Sequence, residues 1–403
     1  MDGCDIFIFK QRNFYNDTFY FIVVAVKENL VYNFSQDKIV GFVDIGEERT
    51  VSTAFPDVAT HALQLYIRSI MTNFSRPVAF FATKSLKSYQ LTSIVWEAIA
   101  ALQCCGITVI CIIADGMGTN RKMFQEMNNL RLPFPYKCRN VYDPEKDIYL
   151  ISDPPHLLKT TRNNIWASKP HGSKLLKYNE HYILWEHFCS VPRLFDSKEL
   201  RCCKLTDAHF NLHSYSKMRV CYAAQLLSKS VSKLMKKRGG EKMERSAWLA
   251  NLMNKWFDLM NTRVNYGYNK DLIPYKDVHD PRLMWLSDTF INELDNWKGS
   301  TKGKNELEKE KQFLSKQTYA GLVMASKAMS ELVKYLLSAS PPGSYVCTRR
   351  INQDPLEAFF GQVRRTGGSN EAPDVNSYGQ YQNIISCMKQ YKQVKGSNVE
   401  IVD

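Results

Sequence analysis

Residues 107–114 read ITVICIIA, a nearly unbroken apolar run that closes on Asp115 and the turn Gly116-Met117-Gly118-Thr119-Asn120. A short apolar run bounded by a turn suits a strand buried on both faces, as found inside an α/β sheet. The flanking sequence must then supply neighbouring strands and covering helices. Residues 19–26 (FYFIVVAV) and 38–45 (KIVGFVDI) read as strands, with Ser35-Gln36-Asp37 as a hairpin turn between them. Residues 61–71 (HALQLYIRSIM) have helical periodicity, 77–83 (PVAFFAT) read as a third strand, and 91–104 form a helix stopped by Gly106. A helix follows from Arg121, and residues 148–152 form a short strand ending at Asp153.

The pattern changes over residues 164–341, which read as mostly helical. Residues 220–237 place Ala224, Leu227, Val231, Leu234 and Met235 on one face, and 247–260 and 318–337 behave alike. Breaks fall at Gly239-Gly240, residues 299–303 and Pro341-Pro342-Gly343. Beyond them the sequence supports one helix, 355–364, and a polar Gly-rich tail. An α/β half, a helical stretch and a short helical return imply one domain split by another.

Lys and Arg number 53 against 40 Asp and Glu, a net charge of +13, which favours a polyanionic partner and above all nucleic acid. The 11 cysteines include no C-x-x-C pair, and Cys104-Cys105 and Cys202-Cys203 lack structural-zinc spacing. Reduced thiols in a nuclear or cytosolic compartment are expected, with no secretory signal. Residues 19–26 are one strand long, too short to span a bilayer, so no membrane partner is expected.

Each candidate residue has a bland reading beside its chemical one. Asp115, at a strand end, can hold Mg²⁺ through oxygen, or simply cap the next turn. Asp153-Pro154-Pro155-His156 opens a helix as N-cap plus Pro at the first position. The same helix brings His156, Lys159 and Arg162 near one face, suited to backbone phosphates. Asp354, Pro355 and Glu357 fit a capping box, while Glu357 could instead present a carboxylate to a metal. Arg364 and Arg365 precede Gly367-Gly368, a basic turn fit for phosphate contact. Residues 229–245 (KSVSKLMKKRGGEKMER) are a solvated helix face or a binding stripe. There is no P-loop, and Asn269-Lys270-Asp271 is a faint guanine-recognition signal.

Four blocks in order resemble the P-element transposase family and its THAP-domain relatives. They are 27–46 (KENLVYNFSQDKIVGFVDIG), 62–77 with 109–124 (VICIIADGMGTNRKMF), 152–163 (SDPPHLLKTTRN) and 352–368 (NQDPLEAFFGQVRRTGG). The resemblance implies an α/β RNase H-like fold, a mixed sheet with flanking helices, interrupted by a mostly helical insertion that binds GTP in some members. Implied boundaries are 1–26 unmatched, 27–163 and 342–380 for the RNase H-like parts, 164–341 for the insertion and 381–403 for a tail.

The resemblance also implies DDE chemistry, in which three carboxylates hold two Mg²⁺ ions for in-line attack at a DNA phosphate. Asp115 matches the second catalytic Asp and Glu357 the catalytic Glu. Asp153 and His156 match a motif beside the active site. The first catalytic Asp, counted back from Lys27, falls at Ile22 within Phe21-Ile22-Val23-Val24-Ala25-Val26. Isoleucine cannot ligate a hard cation. Asp44 and Asp153 are the candidate substitutes. Family members begin with a zinc-binding THAP finger, whose C2CH array is not read here. The expectation is a DNA-binding, catalytically defective transposase relative; an active Mg²⁺-dependent enzyme and a guanine-nucleotide or protein-interaction module are the alternatives.

Overall fold

The computed structural model describes residues 17–34, 37–46, 57–194, 203–264, 269–368 and 372–391; for 17–25, 194 and 389–391 the description stops at the backbone. The chain divides into two compact units. The first comprises Met1–Leu130, Cys138–Ile148 and Gln353–Asp403, and the second Arg131–Lys137 and Tyr149–Asn352.

The first unit is organised around β6 (Val109–Ala114), all of whose residues are buried. Its neighbour β1 (Asp17–Ala25) runs parallel to it and antiparallel to β4 (His61–Ser69), which in turn pairs antiparallel with β5 (Ser75–Thr83). With β7 (Lys137–Arg139) and β8 (Asp147–Ser152) the order is β5-β4-β1-β6-β8-β7, a mixed sheet. β2 (Val31–Asn33) and β3 (Lys38–Val40) form a separate hairpin. Ser35 and Gln36, expected at its turn, lie outside the described residues; Asp37 beside them has a φ of 50°. The turn therefore joins β3 to β2 and not to β1. The strand expected over 38–45 stops at Val40 and continues only as isolated bridges at Phe42 and Asp44.

The segment 61–71 corrects a sequence expectation, because it is strand β4 and not a helix. Ala62, Leu63, Leu65, Tyr66 and Ile67 are all buried, on both faces of the sheet. A strand covered on both sides loses the alternation that marks a half-exposed one, so its periodicity is ambiguous. Helix α1 (Ser88–Cys104) buries Leu91, Ile94, Val95, Ile99 and Leu102, and Gly106 with φ 77° ends it in the left-handed region.

The chain's return also departs from expectation. The helix Asp354–Thr366 is followed by a second one, Val375–Tyr391, where a tail was expected from residue 381. Its buried positions Val375, Tyr378, Gln382 and Ile385 recur at helical spacing. Tyr378 and Gln382 carry polar atoms, so a count of apolar residues misses the stripe. The Tyr378 hydroxyl donates to Gln64 Oε1 at 2.8 Å, and Gln64 Nε2 donates to the carbonyls of Leu65 (2.8 Å) and Ala79 (2.9 Å). Phe80 packs edge-on to Tyr378. A polar side chain inside the sheet is thus fully paired, as burial requires.

The second unit is mostly helical. Its longer segment enters from β8, continues through α3 (Pro154–Ala167), and includes helices Gly240–Leu259, Phe290–Gly299 and the long Lys316–Ala339. Trp256, Trp297, Phe290 and Tyr275 fill its interior, and the Trp256 indole donates to Ser326 Oγ at 2.9 Å. The single helix expected over 220–237 is two, Val220–Leu226 and Lys229–Arg238. Ser228 makes the break by capping the second: its hydroxyl accepts from the Val231 amide at 3.3 Å. Among the described residues no helix is long and apolar enough to cross a membrane.

Replacing Tyr378 with Phe leaves Gln64 Oε1 buried without its donor. Urea denaturation of Tyr378→Phe should show a loss of about 1–3 kcal/mol; unchanged stability would mean that Gln64 finds another partner.

Candidate functional site

β6 ends and α2 (Gly118–Glu126) begins within four residues, and Asp115 governs that turn. Its Oδ1 accepts from the Met117 amide at 2.9 Å and from Asn120 Nδ2 at 2.8 Å. The capping reading of Asp115 is therefore realised, and one carboxylate oxygen is already committed to the fold. Asn120, buried beside it, was not singled out from the sequence; a polar residue five positions after a strand-end Asp is its only signal.

The β1 pairing fixes what stands next to Asp115. Thr18, Phe19 and Tyr20 pair with Cys111, Ile112 and Ile113. The pairing ends at Tyr20 and Ile113; continued by two residues along each strand, that register would reach Ile22, which pairs with Gln64 on β4, and Asp115, which follows the end of β6. From residue 19 to the end of β1 the sequence contains no Asp or Glu.

Glu357 sits in the first turn of the helix Asp354–Thr366, exposed, while Leu356, Phe359, Phe360 and Val363 form the buried face. The expected capping box does not form. The N-cap is Gln353, one residue earlier than expected, with no side-chain cap hydrogen bond. Gln353 instead turns inward, its Nε2 donating to the Ile113 carbonyl at 3.4 Å. That bond ties the start of the returning helix to the end of β6, so Asp115 and Glu357 belong to the same end of the first unit.

Among the described residues no group of three His, Cys, Asp or Glu side chains is placed to hold a metal ion. Asp44 is exposed, and its Oδ1 accepts from the Gly46 amide at 3.2 Å. Asp153 is in the second unit, buried, and caps α3 by accepting from the His156 amide at 2.9 Å, with Pro154 at the first helical position. The described residues do not fit a three-carboxylate, two-metal centre.

The basic candidates divide. Arg364 and Arg365 are exposed at the end of their helix, and Arg365 Nε donates to the Gly361 carbonyl. Lys159 is half-buried on α3, as is His156. Arg162 departs from the expectation of phosphate contact, because it is fully buried. Its Nη2 donates to the Lys217 carbonyl at 2.7 Å and its Nε to Asn163 at 2.9 Å, while Nη1 has no partner. Burial pushes the Arg162 guanidinium down to about 10. Arg162 and Lys159 are a turn apart, but the packing of α3 separates their fates. In the 229–245 run, Lys233, Lys236, Lys237, Arg238 and Lys242 are exposed. Asn269 is used locally: Nδ2 donates to Asp258 at 3.1 Å, and Oδ1 accepts from the Asp271 amide.

A cluster that the sequence did not reveal surrounds Trp166. Lys217 and Lys169 lie 3.6 and 4.6 Å from its ring centroid. Separately, an open pocket of about 390 Å³ is lined by Lys169, Trp185, Glu186, Cys189, Ser190 and Arg193, among others.

This sheet order, with its covering helices and a long excursion before the returning helix, defines an RNase H-like domain carrying an insertion domain. Residues 18–128 match the family model described as TNP-like, RNase H N-terminal domain, and residues 155–271 match the TNP-like, GTP-binding insertion domain. The first match begins inside β1, so that strand belongs to the family domain and not to an unmatched leader. The Transposable element P transposase of Drosophila melanogaster is 26% identical over 328 residues, 76% of this chain and 38% of that protein. The chain thus spans well under half the length of that curated relative. The solved Drosophila P element transposase strand transfer complex matches with a TM-score of 0.71 at 21% identity, over 92% of this chain and 77% of that one. The chain thus carries both TNP-like domains in order and is similar to P element transposases in sequence and fold.

Because Asp115 has a structural task, its substitution has a structural cost. Asp115→Ala should lose about 1 kcal/mol by chemical denaturation, whereas Asp115→Asn, an equally good cap, should retain wild-type stability. Equal losses in both variants would show that the negative charge itself, and not the hydrogen bonding, holds the turn.

Proposed function

We propose that this chain binds DNA with a transposase-type RNase H-like core whose DDE centre is incomplete. The observation that carries this reading is the register of β1 on β6, which pairs Tyr20 with Ile113 and, if continued by two residues, leads to Ile22 and Asp115 within the segment matching the family domain. A hydrocarbon side chain supplies no ligand where the first carboxylate is expected, and a hard cation needs oxygen. When bound, Mg²⁺ would supply activation of the attacking oxygen and stabilisation of the leaving one. Asp115 and Glu357 are the residues left from such a set, and Asp115 shares its carboxylate with the α2 turn.

DNA binding is supported by the net charge of +13 and by Arg364 and Arg365 exposed at the end of the returning helix. In this reading the partner is the DNA backbone, read by charge, and the protein works in the nucleus. A second reading, guanine-nucleotide binding, is favoured by the match of 155–271 to a GTP-binding insertion domain and by the pocket carrying Lys169 and Arg193. Titration of a fluorescent guanine nucleotide against the full chain tests it, and no binding at millimolar nucleotide removes it.

Two measurements test the main reading. In isothermal titration with Mg²⁺, Ile22→Asp should create a site that the wild type lacks; tight binding by the wild type, abolished in Asp115→Asn, would overturn the incomplete-centre reading. DNA affinity should fall steeply with salt, and Arg364→Ala and Arg365→Ala should each lower the slope of log K against log salt by about one. A slope unchanged in both variants would remove the returning helix from the interface.

A further inference from the structure

The helix Val375–Tyr391 buries Val375, Tyr378, Gln382 and Ile385 within the first unit. Its opposite side is not the charged face that a surface helix ordinarily turns to water. Ile384 and Met388 are 46% and 63% exposed, and Gln380, Asn383 and Cys387 are exposed beside them. Their spacing of three and four residues puts these positions on one arc of the helix. From Val375 to Tyr391 the only charged residue is Lys389, in a chain of which 23% is charged. The exposed helix Glu306–Lys311, which reads ELEKEK, shows how another surface helix of the same chain meets water.

An uncharged and partly apolar face on a folded surface has the composition of an interface core, from which Lys, Glu and Asp are depleted. The missing charge also narrows the partner. In a two-fold contact between identical chains the same patch meets itself, so a charge near the axis is opposed by its like. An uncharged face escapes that repulsion. The amides of Gln380 and Asn383 both donate and accept, so an identical amide satisfies each of them. Nucleic acid would call for cations on this arc, and a charged peptide for the opposite charge; the arc offers neither. The thioether of Met388 adapts its shape to a neighbour, which suits packing on a copy. The residues are few beside the roughly 20–30 a side of a standard interface, so the association is weak and depends on concentration.

We propose that this arc of Val375–Tyr391 is a self-association site, at which two copies of the chain pair their helices antiparallel about a two-fold axis. Ile384 of one copy packs on Met388 of the other, and Cys387 lies near the axis beside its copy. The contact is independent of the DNA-binding reading, since it uses neither Arg364 nor Arg365.

Sedimentation velocity of the full chain in reductant, across the micromolar range, should show monomer giving way to dimer as concentration rises. Ile384→Lys and Met388→Glu should each weaken the association by about tenfold or more, as loss of a central contact does. An equimolar mixture of the two variants should associate again, because the new cation of one copy then faces the new carboxylate of the other. A damaged fold could not be repaired in this way. A short bismaleimide should join the wild type into a covalent dimer and fail to do so in Cys387→Ser. The inference is overturned if the wild type stays monomeric throughout, if either variant associates like the wild type, or if the mixture stays monomeric. A covalent dimer formed equally well by Cys387→Ser would place the contact elsewhere and overturn it too.

Discussion

Burying β6 on both faces constrains the first unit more than any other interaction. A six-residue strand with no solvent-facing side must have a paired strand on each edge and covering elements above and below. The order β5-β4-β1-β6-β8-β7 meets the first demand. Helix α1 and the returning helix Asp354–Thr366 supply apolar faces to meet the second. The carboxyl end of such a strand is where the chain must turn out of the sheet, and it is where Asp115 and the Gln353 tether coincide. The candidate site follows from the architecture, since the end of a doubly buried strand is the nearest place where polar groups can reach solvent.

Much of this was legible in the sequence, and the exceptions have physical causes. The apolar run at 107–114 announced its own strand, and the Asp153-Pro154 helix start was found as read. β4 was misread because burial on both faces erases the alternation that distinguishes strand from helix. The helix Val375–Tyr391 was missed because part of its buried stripe is made by Gln382 and by Tyr378, whose hydroxyl finds its partner Gln64 only in three dimensions. The capping box at Asp354 failed because Gln353 is drawn inward to the Ile113 carbonyl, which moves the helix start by one residue. Arg162 and Lys159 looked equivalent from spacing alone; which of two neighbouring cations is buried depends on what packs against α3. The Trp166 cluster was only half visible, since Lys169 follows Trp166 by three residues while Lys217 lies far along the chain.

Asp115 shows why structural and chemical readings of a residue need not compete. A carboxylate at a strand end is well placed to cap the turn that follows, and equally well placed to meet a metal. In this chain the first task is satisfied by the Met117 amide and Asn120. A residue with a folding role is held by that role alone, so the presence of Asp115 is not by itself evidence of catalysis.

The buried guanidinium of Arg162 has a consequence of a different kind. Even pushed down to about 10, it stays charged at neutral pH, and it lies where no counter-ion can touch it. Mobile salt screens surface lysines within a Debye length, but an interior charge is screened much less. The second unit therefore holds a small positive potential beneath its aromatic face that persists at ionic strengths where the exposed cations have lost their reach.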